Sequence, residues 1–341
     1  MGCSTMAARA LANICTLALS AFAAAAWGTE VTYKLTLLPP NSADFSWVGL
    51  VNDLGHGVVW EPGEYEEPTF YAFWSPKTGY MGIYLHQGDE YEIYPVAMNN
   101  LDQVVGLESY TEVAIWSPSG VVATFHAPSG YPSIQPRAIN DDGSVVGYVQ
   151  DAQGVPHSFH WVSGDYAVVD RPEQPSCAVG LNDKGDAVVQ TLVEGAQYCD
   201  CPDAVATHLV HGHSGHPIRI PGHEPACFKG MDSDGDAAVY SGTVNGLWTL
   251  ADGFTPIAHK NVQMIGIADR GIVAGSIYHR GSFLWKREGG LHWVKELMKP
   301  KDRDRGFEVK SISPKGVLGG ASNGGWDAAI LVPSRQDAPT E

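Results

Sequence analysis

The sequence predicts an all-β fold, a seven-bladed β-propeller of four-stranded blades, and three observations carry that prediction. The first is a repeated phrase, clearest at Ala138-Ile139-Asn140-Asp141-Asp142-Gly143-Ser144-Val145-Val146-Gly147-Tyr148, where an apolar lead-in meets an Asn/Asp turn closed by Gly and an apolar run follows. The second is its period. The turn residues Asn52, Asn99, Asn140, Asn182, Asp232, Ala268 and Ser313 lie 47, 41, 42, 50, 36 and 45 residues apart, the length of a four-stranded propeller blade. A β-solenoid repeats over a shorter distance and tandem sandwich domains over about twice it. The third is composition: 39 Gly and 22 Pro interrupt short Val/Ile and aromatic runs, and helix-favouring stretches are nearly absent.

In chain order, residues 1–26 read as a secretory leader. Arg9 is the only charge in a short basic region, residues 11–22 are an apolar core, and Ala23-Ala24-Ala25-Ala26 offers an Ala-x-Ala cleavage site. The core is short for a membrane anchor and gives way at once to strand-like sequence. Cys15 follows Ile14 rather than the small residue that lipid attachment requires. The mature chain is therefore expected to be secreted or periplasmic, as in a Gram-negative-type bacterium, with no membrane span and as a monomer. Residues 27–333 are assigned to the propeller and 334–341 to a disordered tail.

Each unit divides into four strands. The inner strand a ends at the turn (Arg137-Ala138-Ile139 before Asn140), and Asn/Asp-Gly supplies the positive φ a tight turn demands. Strand b is the apolar run, such as Val145-Val146 or Ala237-Ala238-Val239. Strand c carries the aromatic residues (Phe73-Trp74, Ile115-Trp116, Phe159-His160-Trp161, Leu247-Trp248, Leu284-Trp285), and strand d follows a Gly turn. The seventh unit lacks a fourth strand after residues 327–332, whereas Val31-Thr32-Tyr33-Lys34-Leu35-Thr36-Leu37 is a spare strand before the first unit. This N-terminal strand is expected to complete the last blade, which removes a free sheet edge.

The units resemble the extracellular HAF repeats, named for a His-Ala-Phe tripeptide. His157-Ser158-Phe159 and Tyr71-Ala72-Phe73 are near-matches, and the Asn-Asp-x-Gly-x-Val-Val-Gly phrase at Asn140 matches closely. The resemblance covers residues from about 45 to 332. Ala268 and Ser313 depart from the turn Asn, and Trp326-Asp327-Ala328 departs from the tripeptide. The resemblance implies a propeller-like fold and export, and it assigns no activity.

Charge and motifs limit the function. A formal net charge of -17 opposes nucleic-acid binding. There is no Gly-x-Ser-x-Gly elbow, phosphate-binding Gly-rich loop or His-Glu-x-x-His helix. Four cysteines follow the leader: Cys177, Cys199, Cys201 and Cys227. Cys177 and Cys227 each lie five residues before a turn anchor, at equivalent places in neighbouring blades, and Cys199-Asp200-Cys201 is too tight to pair with itself. Two disulfides to Cys177 and Cys227 are expected in an oxidising compartment, with a four-thiolate zinc site as the alternative. His211, His213 and His216 have the spacing of a metal triad, and Asp232-Ser233-Asp234-Gly235-Asp236 has carboxylates suited to Ca²⁺. A polar turn explains both sets, so no cofactor is expected, and Ca²⁺ or Zn²⁺ remains the alternative.

Propellers bind ligands at the channel mouth made by b–c loops and d–a links. There the sequence offers Tyr65 and Glu66 in an acidic insertion, with His86, Tyr131, Arg137 and His223 on neighbouring links. Carboxylates beside aromatic rings suit a carbohydrate. The expectation is a binding or scaffold module for an envelope or extracellular ligand, glycan or protein. The alternatives are a glycan-directed hydrolase or lyase at the channel mouth and a metal-binding protein built on the blade-four His/Cys loops.

Overall fold

The computed structural model describes residues 31–40, 45–61, 70–84, 93–168, 174–196, 199, 204–211, 214–223, 225–242 and 244–335. Seven antiparallel sheets of four strands form the blades. Strands β2–β5 (47–82) make blade 1, β6–β9 (94–126) blade 2, β10–β13 (133–168) blade 3, β14–β17 (176–218) blade 4, β18–β21 (227–256) blade 5 and β22–β25 (262–293) blade 6. Blade 7 takes β26–β28 (308–335) and, as its outer strand, β1 (Val31–Leu37). The N-terminal strand thus closes the ring: Val31 pairs with Arg335 and Leu37 with Ala329. Strand β28 (Asp327–Arg335) continues two residues past the expected propeller boundary at 333.

Tyr33 fixes that closure. It is 3% exposed and packs with Leu284, Val294, Met298 and Leu331 between blades 6 and 7. Its hydroxyl donates to the Gly316 carbonyl at 3.0 Å. A short helix α1 (Val294–Leu297) caps this interface, and the Lys299 N–H just beyond it donates to the Tyr33 carbonyl at 3.3 Å.

The hydrophobic core is divided among the clefts between blades. One buried apolar cluster fills each of the seven interfaces. The strand-c tryptophans Trp74, Trp116, Trp161, Trp248 and Trp285 are buried, opposite the start of strand b. Blades 4 and 7 put Val210 and Leu331 at that register. Among the described residues the cluster between blades 3 and 4 has five buried members, one of which is Cys177. Here Cys177 is disulfide-bonded to Cys199, so a covalent link supplements the apolar contact.

The repeated phrase has two structural roles. First, its turn residue caps its own loop. Asn52, Asn99, Asn140, Asn182 and Asp232 each accept the backbone N–H four residues on through Oδ1, at 2.9–3.1 Å. Ser313 does so through Oγ at 3.2 Å. The residue three on has positive φ (Gly55, Asp102, Gly143, Gly185, Gly235, Gly316), which explains the Gly of the phrase. Blade 6 has no such cap: Ala268 is the last residue of β22 (Val262–Ala268), and Arg270 and Gly271 turn the chain with φ of 65° and 66°.

Second, the loops join into a circular belt. Asn52, Asn99 and Asn140 each donate through Nδ2 to the turn carbonyl of the next blade, at 2.9–3.3 Å. The N–H groups of Asp53, Asn100, Asp141 and Ser233 donate to Asn100, Asp141, Asp183 and Asp269 Oδ1, at 2.7–3.1 Å. Lys184 reaches Asp234 at 2.9 Å, and the Asp269 N–H reaches the Pro314 carbonyl at 2.8 Å. Ser313 Oγ and the Lys315 N–H return to Asp53 Oδ1 at 2.7 Å. All seven interfaces are bridged. The two oxygens of Asp232 accept three backbone N–H groups, from Asp234, Asp236 and Gly271. The alternating carboxylates there serve as loop caps and belt members.

Candidate functional site: the channel and its aromatic mouth

Each inner strand is broken by a single-residue bulge at the same register. The bulged residues are Gly49, Val96, Arg137, Val179, Lys229, Ile265 and Lys310, and all seven line the central channel, which encloses about 440 Å³. A bulge turns its extra side chain out of the ladder, and here the only space is the axis. The glycine of the Val-Val-Gly phrase follows from the same register. Gly106, Gly147, Gly275 and Gly320 lie opposite the residue before the bulge, where a Cβ would strike the inner-strand backbone.

One end of the channel is the belt. Asp141, Asp183 and Asp232 line it there. Burial, aided by the nearby Asp141, Asp53 and Asp142 carboxylates, holds the Asp183 carboxyl above its ordinary range. Burial likewise raises Asp232 against the three N–H groups it accepts, and pushes Asp236 up to about 6 with help from Asp232 and Asp234.

The other end, formed by d–a links and b–c loops, carries an aromatic run across three blades. Trp326 of blade 7 lies 6.0 Å from Phe45, and Phe45 lies 5.4 Å from Trp47. Trp47 is 6.1 Å from Trp60, which is 5.4 Å from Tyr71 and 6.0 Å from Tyr94 of blade 2. Most of these pairs meet edge to face, the arrangement the ring quadrupole favours. Trp326, Tyr94 and Phe45 are 58%, 46% and 39% exposed. The Ser46 N–H donates to the Trp326 carbonyl at 3.2 Å, which ties the first link to the last blade. The Trp60 indole lies over Gly49, where any Cβ would fall 2.7 Å from its Nε1. The aromatic run therefore reaches the channel wall. Trp60 Nε1 is shielded from solvent and has no hydrogen-bond partner among the described residues.

Beside the run, a groove between blades 6 and 7 encloses about 440 Å³, with Gln263, Ser276, Tyr278, His279 and Glu308 among its lining. Gly324 and Gly325, at the foot of Trp326, form its near edge. Glu308 in the groove accepts a 2.6 Å hydrogen bond from Lys310 of the channel, so this ion pair stands between the two spaces.

Of the binding residues expected from sequence, Tyr65, Glu66 and His86 lie outside the described residues. Arg137 lines the channel from within strand β10 (Ser133–Ile139) rather than from a link, with its guanidinium 5.3 Å from the Tyr148 ring centroid. Tyr131 packs edge-on against His157 at 5.7 Å in the cleft between blades 2 and 3. His223 is exposed in the link between blades 4 and 5, its N–H donating to the Ile220 carbonyl at 2.9 Å. Neither residue lines the channel. Cys227 is disulfide-bonded in addition to the Cys177–Cys199 pair, and Cys201 lies outside the described residues.

The blade-four histidines divide. His211 ends β16 (Ala204–His211) with Nδ1 against Asp186 of the belt, whereas His216 lies within β17 (Ser214–Ile218), opposite Leu209. His213 lies outside the described residues. Among the described residues no three His, Cys, Asp or Glu side chains converge as a metal site, and no helix is long and apolar enough to cross a membrane.

The sequence reading missed Trp326, Phe45, Tyr94, Lys229 and Lys310. The cations carry a simple signal: each bulge residue of the channel lies three positions before its turn anchor. The aromatic run carries none, because its members come from a link, a b–c turn and three kinds of strand.

No family model and no curated protein matches the chain. Solved structures match its fold. A catalytically inactive virginiamycin B lyase from Staphylococcus aureus with quinupristin is 12% identical, covering 88% of this chain and 99% of that one, with a TM-score of 0.56. An oligogalacturonate lyase in complex with manganese is 12% identical over 90% and 97% of the two chains, also with a TM-score of 0.56. YCF48 bound to D1 peptide is 11% identical over 90% and 97%, with a TM-score of 0.50. At these identities the likeness is one of fold, and what this chain shares with them is the β-propeller.

Proposed function

We propose that the protein is an exported binding module that takes a carbohydrate on the face formed by its d–a links and b–c loops. The observation that carries this reading is the run of six aromatic rings from Trp326 to Tyr94, half of them well exposed. Exposed rings held rigidly by their neighbours offer flat apolar faces to the C–H surfaces of a sugar at little entropic cost. The polar groove beside Trp326, with Gln263, Ser276 and Glu308 among its lining, supplies the hydrogen bonds that sugar hydroxyls need. Export is supported by the leader-like residues 1–26, by the resemblance to HAF repeats and by the Cys177–Cys199 disulfide.

Titration calorimetry against a panel of neutral and acidic oligosaccharides tests the reading. The wild type should bind at least one class without product formation, and Trp326→Ala should weaken that binding about tenfold or more, at an unchanged melting temperature. Binding that survives Trp326→Ala and Tyr94→Ala together, or no binding to any member, would refute it. Product release at the rate of an enzyme would move the assignment to the glycan-directed hydrolase or lyase.

A further inference from the structure

The channel itself has a polarity that the aromatic face does not explain. Of the seven bulge residues that ring it, three are cationic (Arg137, Lys229 and Lys310), contributed by alternate blades 3, 5 and 7. The others are Gly49, Val96, Val179 and Ile265. All seven lie at one register, so the three charges share one level and surround the axis. This chain has 21 Lys and Arg against 38 Asp and Glu, which makes three cations among seven positions an enrichment that needs a reason.

The ring is narrow enough for the charges to meet. Inner strands touch at this level: a Cβ on Gly230 would lie 3.5 Å from the Gly266 Cα. Seven strands at about a 5 Å spacing close a circle of roughly 6 Å radius, a distance that a lysine or arginine side chain spans. Lys310 is paired with Glu308 at 2.6 Å, and the Arg137 guanidinium lies near the Tyr148 ring. Arg137 and Lys229 form no ion pair among the described residues.

The acidic belt does not neutralise them. Asp53, Asp141, Asp183 and Asp269 Oδ1 each accept a hydrogen bond within the belt, and no belt carboxylate pairs with a channel cation among the described residues. The channel is therefore positive at its waist and negative at its belt end. That arrangement holds an anion at the waist and repels it from the belt exit.

We propose that the channel waist binds one compact organic polyanion, carrying two or three carboxylate or phosphoryl groups, between Arg137, Lys229 and Lys310. Arg137 presents a planar fork suited to one carboxylate or phosphoryl group, and the two ammonium groups act as point charges for the others. Val96, Val179 and Ile265 leave the rest of that ring apolar, which accepts a short carbon skeleton. The volume of about 440 Å³ fits a small molecule.

The test is titration calorimetry at low ionic strength with citrate and with inorganic phosphate as probes. The wild type should bind at least one of them in a one-to-one ratio, more weakly as salt is added. Arg137→Gln, Lys229→Met and Lys310→Met should each lower the affinity about tenfold, and the triple variant should not bind. Circular dichroism and the melting temperature establish that the variants fold, and the single Lys229→Met change carries the test if the triple variant does not. Lys77→Met, in an exposed outer turn, should leave the affinity unchanged. Absence of binding by both probes, or unchanged binding in the cation variants, would overturn the proposal. The residues involved are distinct from the aromatic run, so this result and the carbohydrate titration can fail separately.

Discussion

Tyr33→Ala is the sharpest perturbation of the ring closure. The side chain is 3% exposed and packs against Leu284, Val294, Met298 and Leu331 from blades 6 and 7 and the helix between them. Removing a buried aromatic ring costs about 3–5 kcal/mol, because the cleft cannot fully collapse around the void. Tyr33→Phe keeps the ring but leaves the Gly316 carbonyl without its 3.0 Å donor, at about 1–2 kcal/mol. In a chain of this size about 2 °C of melting temperature accompanies each kcal/mol, so the two variants should fall by about 6–10 °C and 2–4 °C. The assay is a thermal melt followed by circular dichroism, with hydrogen exchange of the β28 amides alongside. Those amides pair with β1 from Ala329 to Arg335 and should exchange faster in Tyr33→Ala. A melting temperature within 1 °C of wild type for Tyr33→Ala, or unchanged β28 exchange, would refute the closure argument.

Further predictions concern the belt and the disulfide. The Asp236 carboxyl titrates near 6 in the folded protein, above its ordinary 3.8. Its contribution to stability is therefore fully present below pH 3.8 and is lost as pH rises through about 6. Acidifying from pH 8 to pH 5 should raise the melting temperature through this group, and Asp236→Asn should stabilise the protein by about 1 kcal/mol at pH 8, given the solvent around the group, and by less at pH 4.5. Asn99→Ala removes the acceptor for the Leu101 and Gln103 N–H groups and the donor to the Asn140 carbonyl. It should cost about 2–3 kcal/mol in a urea titration, and more than Asn99→Asp, which keeps the acceptor. Breaking Cys177–Cys199, whose partners are separated by 22 residues, should cost about 3 kcal/mol, read as the fall in urea midpoint of the Cys177→Ser/Cys199→Ser variant.

Much of the fold was legible because the repeat encodes it locally. The turn residue needs a side-chain acceptor and a positive φ three residues on, and Asn140 to Gly143 shows both in sequence. The spare strand at residues 31–37 and the short last unit identified the closure. Blade 6 shows the limit: Ala268 holds its place in the period, yet without an acceptor the strand runs through it and Arg270 and Gly271 make the turn. The site was less legible, because it depends on relations between repeats. Trp326, Phe45 and Tyr94 are far apart in sequence and meet only when blade 7 meets blade 1. Tyr131 had the chemistry of a binding residue, but the cleft between blades 2 and 3 takes its ring. The channel cations occupy a fixed offset from the turn and needed the bulge register to show that this column faces the axis.

Hydrogen exchange with and without the tightest-binding oligosaccharide of the panel tests the central claim most directly. Protection should concentrate on residues 45–47, 60–61, 70–71, 94 and 324–328, where the aromatic run lies, and should leave the belt loops around Leu54 and Leu101 unchanged. Protection of the belt face alone would contradict the account.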